Sequence, residues 1–192
     1  LIPLIFTWLQ LEKQRVDFTV QACEAQHVLT IEGLEITLRI DRIDALSDNS
    51  LIIIDYKTGS STPNNSSWAN ARITKPQLPL YAALVFKDEQ VAAACFAKVD
   101  AMNPQFSGVA ISDVLPEVKP FATLKGGSVF AEFADFDALI LHWQQSLTMI
   151  AVEIKNGVAS VKFENETDLT YCEVKPLLRL PERALQFEQH QQ

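Results

Sequence analysis

The stretch that decides the fold is Leu51-Ile52-Ile53-Ile54-Asp55-Tyr56-Lys57-Thr58-Gly59, with Leu38-Arg39-Ile40-Asp41-Arg42-Ile43-Asp44 shortly before it. An apolar, β-branched run that ends in Asp-x-Lys reads as a buried strand with a charged end. Successive strand side chains point to opposite faces, so Asp55 and Lys57 project together while Tyr56 points the other way. The same alternation puts Arg39, Asp41 and Ile43 on one face of the preceding strand. Ser47-Asp48-Asn49-Ser50 reads as the hairpin loop between the two runs, which predicts that Asp41 and Asp55 meet across the hairpin.

Two carboxylates and an ammonium group in that arrangement suit phosphodiester chemistry. Mg2+ is held through oxygen, commonly by one or two carboxylates together with waters and substrate phosphate oxygens. Such an ion polarises phosphate and acidifies a water, and a lysine beside it stabilises developing charge or orients the nucleophile. Taken alone, Asp-x-Lys also describes a solvated strand end with a surface ion pair. A further element singles out the first reading: Gln77-Leu78-Pro79-Leu80-Tyr81-Ala82-Ala83-Leu84 reads as a helix with Gln77 and Tyr81 four apart on one face.

Arg39-x-Asp41, Asp55-x-Lys57-x-Gly59 and Gln77-x-x-x-Tyr81 together resemble the RecB-like (AddB-like) branch of the PD-(D/E)XK nuclease superfamily. The resemblance implies an α/β fold, a restriction-endonuclease-like central mixed β-sheet flanked by helices. It makes Asp41 and Asp55 the metal-binding carboxylates, with the carbonyl of Tyr56 as a further ligand, and Lys57 the catalytic lysine. Gln77 and Tyr81 take the positions of a helical motif that supports the site and contacts DNA. Glu24 takes the place of an acidic residue that precedes the strand pair and holds a water or the lysine. The implied activity is that of a Mg2+- or Mn2+-dependent deoxyribonuclease, an exonuclease of DNA repair and recombination working beside a helicase domain or subunit. The chain opens at Leu1 rather than Met, which leads us to expect one nuclease domain over residues 1–192, the C-terminal part of a longer protein.

Three departures from the family pattern stand out. Leu38 occupies the place, three residues before Asp41, where the family usually has Gly. Some relatives close an iron–sulfur cluster with C-x2-C-x5-C, and here Leu169 and Leu178 replace two of those cysteines around Cys172. Because such clusters need four thiolates, we predict none, with Cys172 a small buried residue. The family's upstream metal-binding His has only His27 to correspond to it, in what reads as the neighbouring strand rather than on a helix.

Sixteen Lys and Arg against 24 Asp and Glu give a net charge of −8, whereas nucleic-acid affinity comes mainly from cations on phosphates. A domain so acidic binds DNA weakly by itself, and a bound metal or a helicase that delivers the strand offsets this. The cations near the motif are Arg39, Arg42, Lys57, Arg72 and Lys75. The same acidity supports a rival reading, a catalytically inactive nuclease-fold module that guides DNA. No run is long and apolar enough for a membrane span, no signal peptide is evident, and three scattered cysteines are not a disulfide framework. A cytoplasmic protein is expected.

Along the chain we predict a helix over 7–18, strands over 19–31, 34–45, 50–57 and 90–99, and a helix over 75–86. Residues 100–131 read as irregular strand and loop. Phe136, Leu139, Ile140, Trp143, Leu147, Ile150 and Ile154 predict a core-facing helix stopped by Asn156-Gly157. A frayed tail is expected over 185–192.

Overall fold

In the computed structural model, residues 2–58, 64–124, 126–158 and 178–179 are described. The chain divides into two compact units, Leu1–Asn156 and Gly157–Gln192. The expectations for Gly59, Leu169, Cys172 and the tail over 185–192 fall outside the described residues.

The first unit is built on a five-stranded mixed sheet, β1 (Phe18–Ile31), β2 (Leu34–Leu46), β3 (Leu51–Lys57), β4 (Val91–Lys98) and β5 (Gln105–Ala110), in the order β1-β2-β3-β4-β5. All neighbours are antiparallel except β3 and β4. This is the expected α/β, restriction-endonuclease-like architecture. A two-residue turn joins β1 to β2, with Glu32 and Gly33 both at positive φ (51° and 83°), as the twist of a tight hairpin requires. In the turn from β2 to β3, Asp48 accepts from the backbone N–H of Ser50 at 2.9 Å and Asn49 takes φ 64°.

Alternation along β3 divides the interior. Leu51 and Ile53 pack with Leu78, Tyr81, Leu139, Trp143 and Leu147 on one side, while Ile52 and Ile54 pack with Trp8, Leu11 and Phe106 on the other. The second side is covered by α1 (Ile2–Glu12). This corrects the predicted 7–18: the helix starts earlier, and tighter closing bonds from the N–H groups of Gln14 and Arg15 to Leu11 and Glu12 end it before Phe18 enters β1. The first side is covered by α2 (Gln77–Leu80), which widens into a π-turn over Tyr81–Val85, and by α3 (Phe136–Lys155).

Pro79 is tolerated because it lies in the first turn of α2, where its missing N–H would have no partner within the helix. Asp135 caps α3 by accepting from Ala138 N–H at 2.8 Å. The face of α3 that enters the core is Phe136, Leu139, Trp143, Leu147 and Ala151. Ile154, expected inside, is 61% exposed: the buried stripe drifts with the 3.6-residue repeat and passes to Ala151 instead.

The crossover from β3 to β4 is stitched to α3 by polar contacts. Trp143 Nε1 donates to the carbonyl of Trp68 at 2.9 Å, and Ser146 Oγ donates to that of Ala71 at 3.0 Å. Trp68 Nε1 in turn donates to the carbonyl of Lys75 at 3.0 Å. These bonds fix the backbone that delivers Lys75 and Gln77 to the sheet. Among the described residues no helix is long and apolar enough to cross a membrane.

Candidate active site

The β2–β3 ladder runs from Ala45↔Leu51 to Arg42↔Ile54. The next opposed pair in that register is Asp41 and Asp55. Here the strands separate, and Asp41 Oδ2 accepts the backbone N–H of Tyr56 at 2.8 Å. A carboxylate thus replaces the carbonyl that would have continued the ladder, keeping the N–H satisfied and holding Asp41 beside Asp55.

The strict alternation predicted for β2 fails at this point. Ile40 and Ile43, three apart, both enter the core on the α2 and α3 side, as do Ala22 and Ala25 of β1. Opposite Asp41, Glu24 adopts φ 53°, a left-handed conformation that interrupts the pleat of β1, and the β1–β2 register shifts between Val20 and Ala22.

On the α2 and α3 side, Asp55 is 2% exposed. Its Oδ2 is in ionic contact with Lys57 Nζ yet accepts no hydrogen bond of normal geometry. Burial pushes the Asp55 carboxyl above its ordinary range, with the Lys57 ammonium opposing the shift and the Asp41 carboxylate adding to it. That last influence places the two acids within electrostatic reach of each other. Lys57 itself is 41% exposed at its side chain and lies 5.4 Å above the Phe96 ring.

Tyr81 stands at the start of the π-turn, and its OH donates to the carbonyl of Arg39 at 2.9 Å while accepting from Gln77 Nε2 at 3.2 Å. Burial raises the Tyr81 hydroxyl pKa, and Asp55 and Asp41 raise it further. Asp41, Asp55, Lys57, Gln77 and Tyr81 therefore share one locality. A widened helical turn is a common way to re-aim a side chain at a site.

The structure does not bring Glu24, Arg72 and His27 there. Glu24 forms an exposed ion pair with Arg39 rather than with Lys57, because its left-handed backbone turns it toward the neighbouring strand. Arg72 is tied to Glu153 of α3. His27 packs edge-on against Phe86, ring centroids 5.5 Å apart, with Nε2 buried and unpartnered.

Behind the site, on the α1 side, lies a buried ionic network that sequence reasoning missed. Arg15 donates to Asp44 at 2.7 Å and to Glu12 at 2.8 Å, and its guanidinium sits 3.8 Å above the ring of Phe18. Arg42 bonds Asp44 at 2.7 Å and the hydroxyl of Tyr56 at 3.0 Å. Tyr56 is thus held at its ring by Arg42 and at its N–H by Asp41. The only signal in the sequence was charge, Glu12 and Arg15 beside an otherwise apolar helix.

Could these residues hold a metal? Among the described residues no cluster of three or more His, Cys, Asp or Glu side chains is placed to do so. What exists is a pair of carboxylates. Asp55 Oδ2 is a buried oxygen without a proper donor, and Asp41 keeps one oxygen beyond the bond to Tyr56. Two mutually repelling carboxylates with spare lone pairs fit a hard divalent cation whose remaining ligands are backbone carbonyl, water and phosphate oxygen. A family model described as the PD-(D/E)XK nuclease superfamily matches residues 2–177. Among curated proteins none matches the chain.

Proposed function

The chain belongs to the PD-(D/E)XK nuclease superfamily, and from that premise we propose that it is a deoxyribonuclease dependent on Mg2+ or Mn2+, with Asp41, Asp55 and Lys57 as its catalytic group. Nucleases of this superfamily typically use divalent metals. The observation that carries the reading is the buried Asp55 carboxylate, in contact with the Lys57 ammonium and next to Asp41 across the β2–β3 register.

In this mechanism Asp41 and Asp55, with the Tyr56 carbonyl, hold the ion, which when bound neutralises the phosphate and acidifies a water. Lys57 opposes the rise that burial imposes on the Asp55 pKa and, being half-exposed, would turn its ammonium toward the phosphodiester to offset charge as the bond breaks. Tyr81, anchored on the carbonyl of Arg39, fixes the position of α2, and Gln77 faces the strand. Arg42 and Asp44 hold Tyr56 from behind, so the two carboxylates keep their spacing.

The finer reading is a RecB-like exonuclease of DNA repair and recombination, cytoplasmic and coupled to a helicase domain or subunit. It is supported by the Gln77-x-x-x-Tyr81 motif and by the net charge of −8, which favours a partner that presents the strand. That charge also favours a second reading, a catalytically silent nuclease-fold module that guides DNA.

Labelled single- and double-stranded DNA incubated with Mn2+ distinguishes the two. Wild type should cleave, Lys57→Met should lose activity by about a hundredfold or more, and calorimetry should show Mn2+ binding retained in Lys57→Met. Mn2+ binding without any cleavage by wild type would favour the silent module, and absence of Mn2+ binding would remove the metal site altogether.

A further inference from the structure

Next to Asp55 opens a pocket of about 240 Å3 lined by Lys57, Lys75, Pro76, Gln77 and Phe96. Three elements build it: the end of β3, the adjoining position on β4, where Phe96 is the register partner of Asp55, and the crossover just before α2. The backbone at Lys75 is pinned by the Trp68 indole, so the ammonium is presented from a fixed point. Among the described residues of the first unit the guanidinium groups are spoken for: Arg15 and Arg42 by Asp44, Arg39 by Glu24, Arg72 by Glu153. Lys75, by contrast, has no carboxylate partner among the described residues. Lys57 brings a second ammonium to the same cavity, and among the described residues its ion pair is with Asp55.

Two ammonium groups facing one cavity repel each other unless an anion lies between them. Gln77 lines the same cavity, its amide engaged by Tyr81 and by Asp55. A base does not suit the pocket, because Phe96 is only 6% exposed and Lys57 Nζ already sits over its ring. The chemistry is that of a phosphate.

Position then assigns a side. Asp41 flanks Asp55 on β2, whereas the pocket flanks it on β4, and the exposed cation on the β2 side, Arg39, is neutralised by Glu24. We infer that this pocket is a subsite for one phosphate of a nucleic-acid strand, the neighbour of the cleaved phosphate on the β4 side only, with Lys75 as its principal binding residue. The identity of the anion as a strand phosphate rests on the nuclease reading; the anion site itself does not.

The test uses the full chain without metal and at low salt, with fluorescence anisotropy of a short single-stranded oligonucleotide and of a series carrying one uncharged methylphosphonate linkage each. For wild type, one linkage should stand out, its neutralisation weakening binding about tenfold. Lys75→Met should bind the parent strand about tenfold more weakly, show a salt dependence smaller by about 0.7 in log–log slope, and become indifferent to that linkage. Lys87→Met, remote from the pocket, serves as the control.

A Lys75→Met protein that behaves like Lys87→Met, or a flat linkage profile in wild type, overturns the subsite. If inorganic phosphate raises the melting temperature of wild type but not of Lys75→Met while the linkage profile stays flat, the pocket takes free phosphate and the assignment to a strand falls. A wild type with the expected profile that cleaves nothing with Mn2+ removes the nuclease reading and leaves the subsite in place. Cleavage unaffected in Lys75→Met at limiting substrate does the reverse.

Discussion

Replacing Asp55 by Asn should make the metal-free protein more stable and the metal-supplemented one less so. The side chain of Asp55 is 4% exposed, and holding its charge out of water costs about 1–3 kcal/mol. Asparagine is nearly isosteric and removes both the buried charge and its repulsion with Asp41. What it gives up is the ionic contact with Lys57, a half-exposed cation, and such pairs contribute less than about 1 kcal/mol; the bond from Gln77 can be kept by the amide oxygen. The difference favours the variant by about 1 kcal/mol, or about 2–4 °C in melting temperature for a chain of this size. Wild type with free Mn2+ at a hundred times its dissociation constant gains about 2.7 kcal/mol, and the variant, lacking a charged ligand, should gain almost none. The order of stability therefore inverts when metal is added. Thermal unfolding of both proteins with chelator and with Mn2+ measures it. A variant that melts below wild type in chelator, or one that Mn2+ stabilises as much as wild type, refutes the reasoning.

The raised pKa of Asp55 adds a pH dependence. Its stabilising contribution is complete below the ordinary value of 3.8 and is lost as pH climbs through the raised one, so the metal-free advantage of Asp55→Asn should widen toward neutral pH. Since Mn2+ competes with that proton, the Mn2+-induced gain of wild type should grow as pH rises above the ordinary carboxylate value of 3.8; a gain that shows no rise from that pH to neutrality argues against Asp55 as a ligand. Asp44→Ala strips Arg15 and Arg42 of their shared carboxylate inside the network and should cost about 3–5 kcal/mol in urea unfolding; a loss under about 1 kcal/mol would mean that Glu12 alone satisfies both guanidinium groups. Gly108→Ala puts a Cβ 2.2 Å from the carbonyl oxygen of Ala94. It should destabilise by about 1–3 kcal/mol or more as β4 and β5 move apart, and an unchanged unfolding midpoint would show that the strands separate freely there.

Much of the sheet was legible because strand signals are local. The apolar run of β3, the polar turn before it and the common face of Asp55 and Lys57 all follow from a two-residue repeat. The break at Asp41 was not legible, since it accompanies a left-handed Glu24 and a register shift on the partner strand, which no residue type there demands. Ile154 carried the helical period yet lies outside, because a period marks a face without saying where the core stops along it. The resemblance places Glu24 at the site and nearness to the motif places Arg72 there; their partners, Arg39 and Glu153, are chosen by the pairing of β1 with β2 and the packing of the crossover on α3.

By itself the sequence determined which side chains emerge together from each strand and helix, and hence that a pair of acids and a lysine were available for one task. Only the tertiary structure decided that Asp41 would stand in for a missing ladder carbonyl, that Asp44 would gather two arginines behind the site, and that Lys75 would reach a cavity beside Lys57. The reason is one of range. Periodicity is imposed by the backbone of a few consecutive residues, whereas the meeting of residues tens of positions apart is fixed by how whole elements bury their apolar faces against each other.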